Sequence, residues 1–278
     1  MPQSKSNRDS QQVAAVQMNS GSSVAGNLRT VDRLLADARA EGCSVAVLPE
    51  NFAFIGEHDR DKLAVAEEPG RGPVQAFLAD AACRHGLWVL AGSLPLRSPE
   101  SARCYGACYA YDASGRVAAC YRKIHLFDVD LPDRPESYRE SASMAPGDDP
   151  VTVDTPIGRL GLTICYDIRF PELYRRLVDE GATAFSVAAA FTQVTGVAHW
   201  HILLRARAIE NLAYVIAAAQ QGGHPNGRLT YGHSMIVDPW GRILAEKSDG
   251  EGLAIATVEP AMPGALRSGF PALAHRRF

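Results

Sequence analysis

The strongest constraint on this chain is a repeated alternation of short, wholly apolar runs with amphipathic segments of helical period. Val13–Met18 is an apolar run suited to a buried strand. From Asn27 to Glu41, apolar residues fall at Leu28, Val31, Leu34, Leu35 and Ala38, which form one stripe of a helix, and Gly42 follows as a stop. Val45–Leu48 is apolar again and ends in Pro49-Glu50. The order then repeats, with a helix over Val74–Arg84, a stop near Gly86 and a strand over Leu87–Ala91. Strands without a polar face must be covered on both sides, which predicts a parallel sheet flanked by helices.

The middle and end of the chain add hairpins. Cys104–Tyr111 and Arg116–Arg122 flank Asp112-Ala-Ser-Gly115, and Val151–Val153 and Leu160–Ile164 flank Thr155-Pro-Ile-Gly158. Ser234–Val237 and Ile243–Glu246 flank Asp238-Pro-Trp-Gly241 in the same manner. Helices are expected from Pro171 to about Glu180 and over His199–Asn211, the second with a basic face at Arg205 and Arg207. Strands are expected over Ala184–Ala189, Ala213–Ala219 and Leu253–Val258. No repeat, linker or low-complexity stretch interrupts the pattern. The chain therefore reads as one α/β domain with a mixed sheet over residues 12–278, after a flexible N-terminus at 1–11.

Charge and apolar run length exclude several classes of partner. With 28 basic and 31 acidic residues, the net charge of −3 leaves no excess to neutralise a phosphate backbone. The longest apolar runs, such as Ser186–Phe191 and Tyr214–Ala219, fall far short of the ~20 residues that span a bilayer. Met1–Gln12 is polar and lacks the apolar core of a signal peptide. A cytoplasmic protein with neither a nucleic-acid nor a membrane partner is expected. The six cysteines show no C-x-x-C spacing and read as reduced thiols. Cys43, Cys83, Cys104, Cys108 and Cys120 are expected to be small core residues.

Cys165 is different. It follows the run Leu160–Ile164 and precedes the helix at Pro171, a strand-to-helix corner of the kind where α/β folds place their sites. The field of a helix N-terminus favours thiolate there, although position alone leaves a buried core thiol equally open. Glu50 closes an apolar strand, where it is either a solvated loop carboxylate or a paired one. Lys123 ends the strand Arg116–Arg122, either as a snorkelling lysine or as a functional cation. Together the three offer a carboxylate to take a thiol proton and an ammonium to stabilise the oxyanion formed when thiolate attacks a C–N carbon.

Competing chemistries lack their residues. His199 and His201 are two apart, which in a helix turns the chain by about 200° and points them away from each other. His224 and His233 lie in loops with no carboxylate at ligand spacing, so no metal site is expected. Gly232-His-Ser-Met-Ile lacks the second glycine of a serine nucleophile elbow, and no G-x-G-x-x-G follows a strand.

Three blocks carry a resemblance. Leu48-Pro-Glu-Asn-Phe52, Tyr121-Arg-Lys-Ile-His-Leu-Phe-Asp128 and Gly161-Leu-Thr-Ile-Cys-Tyr-Asp-Ile-Arg-Phe-Pro-Glu-Leu173 resemble, in order, the signature blocks of the nitrilase (carbon–nitrogen hydrolase) superfamily. The similarity runs from about Val13 to Arg277. It implies a four-layer α-β-β-α sandwich in a single domain, whose subunits pair through helices into a homodimer or a higher homo-oligomer. It also implies that Glu50 is the general base, Cys165 the nucleophile and Lys123 the oxyanion stabiliser, helped by the Tyr166 backbone N–H. Glu140, within Tyr138-Arg-Glu-Ser141, would position substrate or Lys123.

The later segments Thr195–Trp200, Leu204–Asn211, Ala217–Gln220 and Tyr231–Gly241 are similar to the branch that acts on deaminated glutathione. Hydrolysis there gives 2-oxoglutarate and cysteinylglycine. The ω-amidase branch is less similar over Ala217–Gln220 and Met235–Asp238. Tyr166-Asp167 stands where nitrile-hydrolysing members have Trp-Glu, which weighs against a nitrile substrate. Arg169 is expected to bind a substrate carboxylate, with a salt bridge inside the fold as the alternative. Phe191, Thr192 and Thr195 would line or support the substrate site. A small-molecule amide is the expected partner, and no metal or organic cofactor is required. Another aliphatic amidase, or a non-catalytic binding protein on this fold, are the competing readings; the intact Glu50, Lys123 and Cys165 weigh against the last.

Overall fold

The computed structural model describes residues 10–100, 102–130 and 137–277; the expected flexible N-terminus falls almost entirely outside them. The first half contains β1 (Gln11–Gln17), α1 (Val24–Ala40), β2 (Cys43–Val47), α2 (Pro73–His85) and β3 (Trp88–Leu90). It continues through β4 (Leu94–Arg97), β5 (Cys104–Tyr111), β6 (Val117–Arg122), β7 (Asp128–Asp130) and β8 (Ser137–Arg139). The second half has β9 (Thr152–Thr155), β10 (Gly158–Ile164), α3 (Pro171–Asp179), β11 (Ala184–Ala189), α4 (Gln193–Asn211) and β12 (Tyr214–Ala219). It closes with β13 (Gln221–Gly223), β14 (Leu229–Tyr231), β15 (Ser234–Val237), β16 (Ile243–Lys247), β17 (Gly252–Val258) and α5 (Met262–Gly269).

The strands form two main sheets, not the single mixed sheet expected from periodicity. One runs β17-β1-β2-β3-β5-β4, with β6 on β5; the other runs β16-β15-β12-β11-β10-β9. Each has a parallel centre, β1–β2–β3 and β10–β11–β12, with antiparallel neighbours outside it. A strand buried on both faces looks the same in sequence whether helices cover both faces or a second sheet covers one. The alternation of side chains resolves it here. Val13, Ala15, Val45 and Val47 join a core with Leu162, Ile164 and Ala217 of the other sheet. Their neighbours Ala14, Val16, Ala46 and Leu48 pack with Val31, Leu34, Leu35 and Leu78 of α1 and α2. With α3 and α4 on the far side of the second sheet, the layers are α-β-β-α.

Helix starts depart from the periodicity because caps lie ahead of the apolar stripe. The Ser23 side chain accepts from the Gly26 N–H and starts α1 at Val24. Thr192 caps α4, which begins at Gln193, six residues before the expected start at His199. The expected basic face of α4 is not one. Arg207 is buried, its Nε donates to the Ile168 carbonyl at 2.8 Å, and its Nη1 pairs with Glu210 at 2.7 Å. Arg205 donates to the Gly241 carbonyl. Cys83 is exposed on α2 and Cys120 half-buried, whereas the other three expected core thiols are buried.

Gly92 shows how tightly the β2 end is held. Its φ of +50° and a hypothetical Cβ only 2.0 Å from the Pro49 carbonyl oxygen leave no room for a methyl group. Gly92→Ala must therefore displace the backbone that carries Glu50. The expected cost is about 1–3 kcal/mol of stability, read by urea denaturation; a variant as stable as wild type would overturn this account of the β2 end.

Candidate active site

Three strand ends converge on one buried ion cluster. Glu50 lies three residues past the end of β2 and is 5% exposed. Its Oε1 accepts from Lys123 Nζ at 2.9 Å, its Oε2 from the Ala190 backbone N–H at 2.9 Å. Its own carbonyl accepts from Gln220 Nε2 at 3.0 Å. Lys123 directly follows β6 and is 2% exposed. Its Nζ also donates to Glu140 Oε1 at 2.9 Å and Oε2 at 2.8 Å. The Phe127 N–H donates to Glu140 Oε2 at 2.7 Å.

Burial alone would discharge Lys123, but the facing Glu140 and Glu50 carboxylates outweigh it and hold the ammonium well above the usual lysine range. For Glu140, burial pushes the carboxyl up, and Lys123, Lys62 and the Phe127 N–H together more than offset that, leaving it below its ordinary value.

Cys165 opens the tight turn after β10 with φ +47°, a left-handed conformation uncommon for a residue with a side chain. Burial, and then the Glu50 carboxylate, push its thiol well above the ordinary cysteine value. The thiol is thus protonated at rest, contrary to the thiolate expected from the helix N-terminus. The corner is too dry and too close to Glu50 for that field to win.

The corner is pinned by Asp167, which is fully buried. Its carboxylate accepts from the Tyr121 hydroxyl at 2.7 Å, the Ile164 N–H at 2.8 Å and the His125 N–H at 3.2 Å, and lies 2.8 Å from His125 Nδ1. Tyr121 and His125 flank Lys123 in sequence, so this carboxylate couples the Cys165 turn to the Lys123 segment. Arg207 holds the same turn from α4 through the Ile168 carbonyl.

A cleft opens over these groups. Glu50, Lys123, Glu140, Cys165, Tyr166, Phe191, Thr192 and Thr195 all line it. Arg169 does not. Its guanidinium lies over the rings of Phe191 and Tyr166 at 5.2 and 5.9 Å, and both terminal nitrogens lie 3.3 Å from His199 Nδ1. Besides Lys123, the cations that line the cleft are Lys62, Arg139 and Arg228, none of which the sequence singles out. Arg139 pairs with Asp130. Lys62 has no ion pair, and Arg228 Nε no hydrogen-bond partner, among the described residues. Arg228 stacks over Tyr138 at 4.7 Å. Lys62 lies in a single helical turn, Arg139 ends the three-residue strand β8 and Arg228 precedes β14, and none of them follows an apolar run that would mark it in the sequence. The histidines also depart from expectation: His201 and His233 meet a carboxylate, Glu246, outside the cleft lining.

The chain matches the carbon–nitrogen hydrolase model over residues 12–268 and belongs to that family of enzymes. It is 41% identical over 267 residues to the deaminated glutathione amidase of Yersinia enterocolitica, covering 96% of this chain and 93% of that one. It is 44% identical over 268 residues to the enzyme of the same name from Synechocystis, covering 95% and 97%. The crystal structure of the Caenorhabditis elegans NitFhit protein superposes with a TM-score of 0.90 at 38% identity over 97% of this chain, which spans 65% of that longer polypeptide. Among the described residues, no helix is long and apolar enough to cross a membrane.

The Glu140 carboxyl makes a pH test of the cluster possible. Its folded pKa lies below the ordinary value of 4.5, so its stabilising contribution is present above that value and lost as pH falls through the folded pKa. Wild type should lose stability on acidification more steeply than Glu140→Gln does, as measured by urea unfolding from neutrality to about pH 3. Parallel curves would remove Glu140 from the linkage.

Proposed function

We propose that this enzyme hydrolyses the amide bond of deaminated glutathione, with Cys165 as nucleophile, Glu50 as base and Lys123 as oxyanion stabiliser. The observation that carries the chemistry is that the buried Glu50 carboxylate, which accepts from the buried Lys123 ammonium, lines the same cleft as Cys165. Glu50 takes the thiol proton as the sulfur attacks the amide carbon, so a resting thiolate is not needed. The oxyanion of the tetrahedral intermediate takes over one of the two contacts that Lys123 makes to Glu140, with the Tyr166 N–H as a second donor. Protonated Glu50 then gives its proton to the departing amine, and cysteinylglycine leaves. A thioester joins Cys165 to the 2-oxoglutaryl group. Glu50 next deprotonates water, which attacks the thioester; 2-oxoglutarate leaves and the thiol regains its proton.

The choice of substrate is supported by the names of the two relatives at 41% and 44% identity and by cleft charge. Deaminated glutathione carries a carboxylate at each end of the molecule. We assign Lys62 and Arg228 rather than Arg169 to pair with them, because those two line the cleft and Arg169 does not. A reading as ω-amidase keeps the same chemistry on a shorter substrate with one carboxylate. We place the reaction in the cytoplasm and in a homodimer joined through helices.

Cys165→Ala should abolish turnover while leaving the fold intact, and intact-mass analysis of wild type under substrate should show an acyl adduct mapping to Cys165. Turnover without Cys165 would sink the mechanism. Arg228→Met should lower kcat/KM for deaminated glutathione by roughly ten- to a hundred-fold, the loss of one charge-assisted pair, and spare a simple uncharged amide. Equal losses on both substrates would remove Arg228 from carboxylate recognition. Faster turnover of 2-oxoglutaramate than of deaminated glutathione would favour the ω-amidase reading.

A further inference from the structure

We propose that His201, His233 and Glu246 form a site for one divalent transition-metal ion, zinc by preference, outside the cleft. The three residues come from separate elements: the middle of α4, the residue before β15, and β16. His201 Nε2 lies 3.1 Å and His233 Nδ1 2.5 Å from Glu246 Oε1, and all three ligand atoms fall within 4.8 Å of one another. An ion about 2.0–2.2 Å from each would need only small side-chain adjustments.

The surroundings hold these groups in place. β15 pairs with β16 so that Met235 lies opposite Glu246, which sets Glu246 close to His233 two residues back. The His233 backbone has φ +55°, and its carbonyl accepts from the Nε1 of Trp200, the fully buried neighbour of His201. Tyr231 stacks on the His233 ring at 4.1 Å with the planes 24° apart and meets His201 edge-on at 6.0 Å. The side chains retain 24–32% exposure, enough for an ion to enter from solvent and for water to complete its shell.

The donor set selects the ion. Two imidazole nitrogens and one carboxylate oxygen suit zinc, cobalt or nickel, whereas magnesium and calcium take all-oxygen shells. Bound there, the ion would tie α4 to the β15–β16 hairpin. Because Thr192 and Thr195 at the start of α4 line the cleft, the tie would steady one cleft wall. The competing account is an ion-pair cluster in which the two imidazoles share one carboxylate and no metal enters.

The test uses the full chain, stripped with a chelator and then titrated with Zn²⁺ by calorimetry and with Co²⁺ by absorption. One equivalent should bind, and the Co²⁺ complex should show d–d bands without the sulfur-to-metal band that Cys165 or Cys83 would produce. Affinity should fall about tenfold or more in Glu246→Gln and in His201→Gln, and the Zn²⁺-induced rise in Tm should vanish with it. Both substitutions change partly exposed side chains, and their metal-free melts report on folding independently. Binding that survives both substitutions, a thiolate band, or no binding at all would overturn the site.

Discussion

A lysine ammonium taken out of water costs several kcal/mol unless its N–H groups find partners. Lys123 is nearly inaccessible, and its three protons are matched by Glu50 and both oxygens of Glu140. That match binds three segments, those after β2, β6 and β8, to a single point. The second Glu50 oxygen is taken by the Ala190 N–H from the far sheet, which draws both halves of the sandwich into the same cluster. Removing Lys123 would leave two carboxylates uncompensated in a dry site, a much larger penalty than the net value of the pairs. The cleft is shaped around this constraint.

Asp167 does for the Cys165 corner what Glu140 does for Lys123. A buried carboxylate that accepts from two backbone N–H groups and a tyrosine hydroxyl over-determines the turn on which the thiol sits. The left-handed backbone at Cys165 is an unfavourable conformation of the kind that persists only when its surroundings enforce it. In the proposed mechanism this rigidity replaces a standing thiolate. The thiol is protonated at rest, and what matters is that the base and the charge that will receive the oxyanion are already in position.

Glu50, Lys123 and Cys165 could be picked out before folding because each sits at a strand end, but each kept a bland reading there, and it was the three ordered blocks around them that resembled a family. Glu140 was legible through family resemblance alone. Asp167 stood inside a recognised block, yet its task was invisible, since its partners Tyr121 and His125 lie on a strand end some forty residues earlier. Arg169 shows the opposite case. Its closeness to Cys165 in sequence made it a candidate carboxylate binder, but its guanidinium lies over the rings of Tyr166 and Phe191 and does not line the cleft.

Local chemistry therefore gave what local chemistry can: where strands and helices lie, where the corner falls, and which polar side chains stand at strand ends; the roles proposed for Glu50, Lys123 and Cys165 came from the family resemblance. Apolar period and strand-end polarity are properties of neighbouring residues. Folding decided the division into two sheets, the burial of Arg207 under the Cys165 turn and the cations Lys62 and Arg228 of the cleft wall. It also set the resting protonation of the thiol and the meeting of His201 with Glu246. Each of these depends on which distant segments pair and on how much water their contact excludes, and neither quantity is encoded in the spacing of residues along the chain.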